Sequence, residues 1–327
     1  MSLLRPSRRI RRSLILTAVC VAASLAIVVD ARGVVLYSSP DRNLSAPSAS
    51  EGLAAWNLEA TWGDFLATPI DSTHFIAAKH VGLQSSSVVL GGVTYPVNTS
   101  VSWSDPGSDL RIWSLESGYT FPKYATLYNA AVDGSEVGKT LTVIGRGTQR
   151  GSAVSLNGDQ RGWYWGASDG KQSWGQNVVD GFDSYNSVSS TSLLTFAFTT
   201  DGLHNSTLSV GDSSGGVFIF SQGEWKLAGI NWAVTGPFSY TGTGTSSSGF
   251  NASLYDLQGL YLWDEAHSTW VYDPNHEPGA SYASRISDRL AWIQSVAPDA
   301  AVPEPAALVL LACGAIALVI GRVARRR

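Results

Sequence analysis

The chain predicts an all-β fold, a sandwich or barrels, with one helix near its C-terminus. Three observations carry this. Short stretches alternate apolar and polar residues or are rich in β-branched and aromatic types, and clusters of Gly, Asn, Asp, Ser and Pro separate them. Glycine is frequent, at 33 of 327 residues, while Trp and Tyr total 24 against a single Met, which suits strands and turns better than a helical bundle. Helical spacing of apolar residues marks only one segment of the central region, close to its end. A hydrophobic content of 44% with 15% charged residues excludes a disordered chain, and a net charge of −4 argues against nucleic acid as a partner.

Residues 1–31 read as an export signal. Arg5, Arg8, Arg9, Arg11 and Arg12 form a basic region ahead of the apolar run 14–29, and cleavage is placed after Ala31. An uncleaved anchor is the alternative, because the run is near the short end of what a span needs. Cys20 follows Val19, which is too large for lipoprotein processing. Strands are expected at 34–37, 75–78, 87–90, 140–144, 193–198, 217–220, 226–234 and 260–263. Residues 203–214 and 241–249 read as loops, the latter a Gly/Ser/Thr tract. Residues 282–296 carry Ile286, Leu290, Ile293 and Val296 at helical spacing, with Pro298 as a stop, and predict an amphipathic closing helix. No repeat of fixed period is present.

The C-terminus carries Pro303-Glu304-Pro305, an apolar run over 306–320, and Arg322, Arg325, Arg326 and Arg327. An apolar run followed by arginines stops in a bilayer with its basic end on the cytoplasmic side. The three features together resemble the PEP-CTERM sorting tail of Gram-negative bacteria. That resemblance implies export, handling by an exosortase-type sorting enzyme, and transient or permanent anchoring at the inner membrane. A plain tail anchor gives the same topology. Residues 32–302 then hold 13 basic and 24 acidic side chains, a net charge of −11, which favours solubility and repels polyanions. Cys20 and Cys313 both lie in the terminal segments, so no disulfide is expected in the central domain.

Chemistry concentrates in three places. Gly211-Asp212-Ser213-Ser214-Gly215-Gly216 precedes an apolar strand. A Ser in a tight Gly-rich turn exposes its hydroxyl, and such a turn can aim consecutive N–H groups at one point, as an oxyanion requires. Phe75-Ile76-Ala77-Ala78-Lys79-His80 is an apolar strand running into a histidine, a side chain suited to general base work. Asp109 stands before the apolar stretch Leu110-Arg111-Ile112-Trp113, where an acid can orient an imidazole; a turn cap after Pro106-Gly107 is the bland reading, and Asp105 is a nearby competitor.

These motifs resemble the trypsin/chymotrypsin family of serine proteases, in motif content and in the chain order His80, Asp109, Ser213. The resemblance spans about residues 34–296. It implies two six-stranded antiparallel barrels with a C-terminal helix: the first over about 33–125, the second over about 126–280, and the helix over 282–296. It also implies a His80–Asp109–Ser213 triad, an oxyanion hole from the N–H groups of Gly211 and Ser213, and Asp212 as the buried acid shaping the pocket. Ser214 and Gly216 depart from the family's Gly-Asp-Ser-Gly-Gly-Pro and leave a rival register with Ser214 as the nucleophile. Lys79 departs from the family's Ala-Ala-His.

Gly145-Arg146-Gly147 is similar to the strand end that opens the family's second barrel, and Gly229-Ile230-Asn231-Trp232 to its cleft strand. There Trp232 would floor the cleft and the backbone near Asn231 would pair with an extended peptide. Thr207 stands at the specificity position, six residues before Ser213, so a small or neutral pocket is implied, not one for Arg or Lys. The family's activating N-terminus is absent; Gly33-Val34-Val35 is the segment that could replace it after trimming, as a partner for Asp212. The expected activity is therefore a serine endopeptidase acting on polypeptides, without cofactor or metal. Trp163, Trp165 and Trp174 read first as core packing or lid structure; the alternative to the peptidase is an inactive relative, or a glycan-binding surface protein that stacks sugars on them.

Overall fold

Alternation of apolar residues along 60–115 allows a sheet to bury one face, and the sheet does so by curling on itself. In the computed structural model, which describes residues 33–185, 192–202 and 205–303, six strands close into a barrel. Their order around it is Ala60–Trp62, Phe65–Pro69, His74–Ala78, Leu110–Leu115, Val93–Ser104 and Ser87–Leu90. Thr61 pairs with Val89 to complete the ring, which leaves no open edge. Trp62, Phe75, Tyr95, Trp113 and Phe121 fill the interior, and Trp62 packs edge-on against both Phe75 and Trp113.

The second half is a seven-stranded sheet that stays open as a half-barrel, so the predicted second six-stranded barrel is corrected. Its order is Ser173–Val178, Thr140–Gly145, Gly216–Ser221, Glu224–Val234, Ala280–Arg285, Leu193–Ala197 and Gly181–Asp183. No ladder joins Ser173–Val178 to Leu193–Ala197. A side chain stands between them instead: Asn177 Nδ2 donates to Ala197 O at 2.8 Å and to Ser206 O at 2.7 Å. A side-chain amide reaching between strands takes the place of the direct backbone pairing that holds neighbours about 4.8 Å apart.

Two smaller three-stranded sheets ride on this half. One joins Thr148–Leu156, Asp159–Ser168 and Ala252–Leu254; the other joins Phe238–Ser239, Tyr261–Asp264 and Thr269–Tyr272. Trp163 sits in a cluster with Tyr37, Phe198 and Tyr255, under the Arg150 guanidinium at 4.1 Å, and Trp174 is buried with its indole N–H on Ser45 O. Both are packing residues.

The predicted helix over 282–296 is shorter than expected. Ala280–Arg285 is a strand paired on both sides, and only Leu290–Val296 is helical. Ser281, Ala283 and Ser284 are buried between neighbouring strands, where small side chains fit and ladder bonds replace helical ones. Ile286 and Ile293 join the cluster between the two halves, with Leu110, Ile112, Ile144, Phe218 and Ile230. Burying one such side chain contributes roughly 1.5–3 kcal/mol, which anchors the short helix. The chain start also differs from expectation: Val35–Leu36 pairs with Ser206–Thr207, so it belongs to the second half. The export signal over 1–31 and the tail from Glu304 onward lie outside the described residues. Among the described residues no helix is long and apolar enough to cross a membrane.

Candidate active site

Strand register brings the first two site residues together. Ala78 pairs with Leu110 in an antiparallel ladder, so the residue two beyond the first and the residue just before the second meet at the same barrel edge. These are His80 and Asp109. Asp109 O accepts the Lys79 N–H at 2.7 Å, and Asp109 Oδ1 accepts the His80 N–H at 3.1 Å. His80 Nδ1 lies 2.5 Å from Asp109 Oδ2. The acid is buried, while the imidazole is 42% exposed toward the cleft. Asp105, the competing acid, turns away. It accepts from Gly107 N at 3.1 Å and Ser108 Oγ at 2.5 Å and pairs with Arg289 Nε at 3.3 Å, so it stiffens the loop that carries Asp109.

The third residue arrives from the other half. Ser213 Oγ is 2.9 Å from His80 Nε2. With the Asp109 carboxylate on Nδ1, the proton of the neutral ring belongs on Nδ1 and Nε2 is left to accept the Ser213 hydroxyl. The turn holding Ser213 is bolted in place. Asp212 N donates to Ser209 O, Ser214 N to Asn231 O, and Asn231 N to Gly215 O, at 3.1, 3.0 and 2.9 Å. Gly211 has φ +92° and Ser214 φ +71°, left-handed conformations that turn the chain sharply on either side of Ser213. Among the described residues none accepts from the N–H groups of Gly211 or Ser213. Those two donors remain available to a ligand oxygen.

Ser214 is not beside the imidazole. It is fully buried and its Oγ accepts the Ala78 N–H at 3.0 Å, tying the strand that leads to His80 onto the Ser213 turn. Ser214→Ala is expected to leave Ala78 N–H unpaired and to cost about 1–3 kcal/mol. Denaturant unfolding measures that loss, and serine labelling of the same variant should persist. A variant as stable as the parent but unlabelled would give the nucleophile to Ser214.

Asp212 is buried against Gly147 N at 2.7 Å, Ser209 N at 2.8 Å, Ser209 Oγ at 2.9 Å and Val34 N at 3.2 Å. Burial pushes its carboxyl above the usual range, and the hydrogen bonds from Gly147, Ser209 and Val34 oppose that. Its fit explains Gly145-Arg146-Gly147: a Cβ at Gly147 would meet the Asp212 carboxyl carbon at 2.7 Å, and a Cβ at Gly145 would collide with the same group. Val34 contributes as a backbone amide within the chain and holds φ +33° to do so, a strained value for a β-branched residue. Three peptide N–H groups and a hydroxyl thus surround the acid with the chain uncut at Val34.

Asn231 and Thr207 sit deeper than predicted. The Asn231 side chain is buried, donating to Ile144 O at 2.8 Å and Asp212 O at 3.0 Å, and its own N–H and C=O are engaged by the turn. It braces Asp212; the next stretch, Trp232 to Val234, faces the cleft. Thr207 is buried with Oγ1 2.9 Å from Ser281 Oγ. A cavity of about 180 Å³ opens beside Ser213, lined by Trp165, Leu208, Ser209, Val210, Trp232, Ala233 and Val234. It has no charged wall, and Thr207 is not among its lining residues. The Trp165 indole, held to Ser253 Oγ at 3.1 Å, lines this cavity, whereas the sequence offered it as a packing, lid or glycan-stacking residue.

The remaining histidines are elsewhere. His74, His267 and His276 pair with Asp71, Asp264 and Asp256, and His204 lies outside the described residues. Among the described residues no group of three or more His, Cys, Asp and Glu is arranged to hold a metal. Neither models of known protein families nor curated protein sequences match this chain.

Proposed function

We propose that the chain is an exported serine endopeptidase of the trypsin/chymotrypsin type, with a PEP-CTERM-like tail that delivers it to the inner membrane or cell surface. The observation that supports this best is the single imidazole bonded on one side to buried Asp109 and on the other to Ser213. Nothing else in the reading requires three residues so far apart in sequence to converge. The closed barrel and the half-barrel, with the three residues at their junction, support a chymotrypsin-like arrangement.

In this reading Ser213 Oγ attacks the carbonyl carbon of an extended peptide, and His80 Nε2 takes the hydroxyl proton. Asp109 keeps the ring oriented and stabilises the imidazolium. The N–H groups of Gly211 and Ser213 donate to the oxyanion. His80 then returns the proton to the leaving amine, and water, deprotonated by the same imidazole, releases the acyl group from Ser213. The cleft strand beyond Asn231 offers an edge for β-pairing with the polypeptide substrate. No step calls for a cofactor.

A fluorophosphonate probe tests the proposal without knowledge of the natural substrate. Covalent labelling, located to Ser213 by peptide mass spectrometry, is the expected result. Absence of labelling, with measurable polysaccharide binding, would leave the chain as an inactive surface protein.

A further inference from the structure

Lys79 interrupts an otherwise small-residue approach to His80, and the mechanism above leaves it unused. Its ammonium is not free in solvent. Nζ donates to Ser108 O at 2.6 Å and to Asp105 O at 3.0 Å, the two carbonyls of the loop that ends in Asp109. It also faces the Tyr185 ring at 5.4 Å. Tyr185 in turn packs edge-on against Trp232 at 5.3 Å, and Trp232 lines the cavity beside Ser213. Three ammonium protons thus meet two carbonyls and one aromatic face.

Charged side chains tie down the loop that carries Asp109. Asp109 faces His80 directly, and Asp105 lies in the same loop. Arg289, from the segment before the terminal helix, offsets Asp105 and donates to Gly107 O at 2.9 Å. Lys79 is bonded to the residue that precedes Asp109. An ammonium there holds the acid-bearing loop by its backbone carbonyls.

We propose that Lys79 is a positioning residue for the triad, fixing the loop that carries Asp109 against His80 through the carbonyls of Asp105 and Ser108. This rests on the acyl-transfer reading of Ser213. Through Tyr185 the same side chain buttresses the aromatic wall of the cleft.

The test is the rate of fluorophosphonate labelling of Ser213 in the full chain, beside a thermal melt of each variant. Lys79→Arg keeps donors for both carbonyls, Lys79→Gln keeps a shorter one, and Lys79→Met keeps none. Labelling is expected to slow about tenfold in the Met variant, by less in the Gln variant, and to stay near the parental rate for Arg, with the melts unchanged. If the Met variant does not fold, the Gln variant carries the same reading. A folded Met variant, or in its place a Gln variant, that labels at the parental rate overturns the role of Lys79 and leaves the peptidase proposal standing. A parent chain that takes no label overturns both.

Discussion

Ser213→Ala is expected to lower peptide hydrolysis by about 10⁴-fold or more, because in the proposed mechanism its hydroxyl is the group that forms a bond to the substrate. What remains is catalysis by the oxyanion donors and by binding, so KM should move little. The fold should be unaffected, since among the described residues Ser213 Oγ hydrogen-bonds to the exposed His80 ring alone and otherwise lines the open cavity. Two measurements check this together: hydrolysis of a denatured protein such as casein, and a thermal melt. A Ser213→Ala chain that digests casein at the parental rate would show that the hydroxyl is not the nucleophile. Loss of activity with a large fall in melting temperature would mean that the turn had been disrupted instead.

The second large effect concerns Glu59, which plays no part in the proposed chemistry. It is buried where the two halves meet, accepting from Thr68 Oγ1 at 2.9 Å and from the Gly216 N–H, while its second carboxyl oxygen has no hydrogen-bond partner among the described residues. Burial pushes this carboxyl up to about 8 from an ordinary 4.5. The folded chain therefore keeps a proton that the unfolded chain loses across that window. Stability is greatest at the acid end, falls as pH rises from about 4.5 to about 8, and levels off above it. At about 1.4 kcal/mol per pH unit the total loss is on the order of 5 kcal/mol.

Glu59→Gln keeps the shape and the neutral acceptor but cannot ionise. Urea unfolding at pH 5 and pH 8 should find the variant close to the parent at the lower pH and several kcal/mol more stable at the higher. Parallel pH profiles for the two proteins would refute the buried-acid account. The location matters for function because Gly216 begins the strand that follows the Ser213 turn. An ionised Glu59 would loosen the segment that aims the hydroxyl.

How far the sequence could be read depended on whether a feature was local. The strand 87–90 was legible to the residue, and those at 75–78, 140–144 and 193–198 to within a residue at either end, because alternation and turn clusters are local signals. The segment 282–296 misled because apolar residues at 286, 290 and 293 satisfy a helical period, while whether 280–285 pairs as a strand depends on neighbours distant in sequence. Asn231 illustrates the same limit: its motif marked a cleft strand, but whether its polar groups face the cleft or brace the turn is settled by Ile144 and Asp212. Glu59 carried no motif at all, and Lys79 stood out only as a departure from one. Their significance comes from carbonyls and amides supplied by other segments.

From the sequence alone came the β character and three short segments whose residue types suit acyl transfer. Tertiary structure decided which serine stands beside the imidazole, that one half closes while the other stays open, and what surrounds Asp212. The reason is physical. Propensity and periodicity act over a few residues, whereas a hydrogen bond between His80 and Ser213, 133 positions apart, exists only once two separately formed sheets have docked.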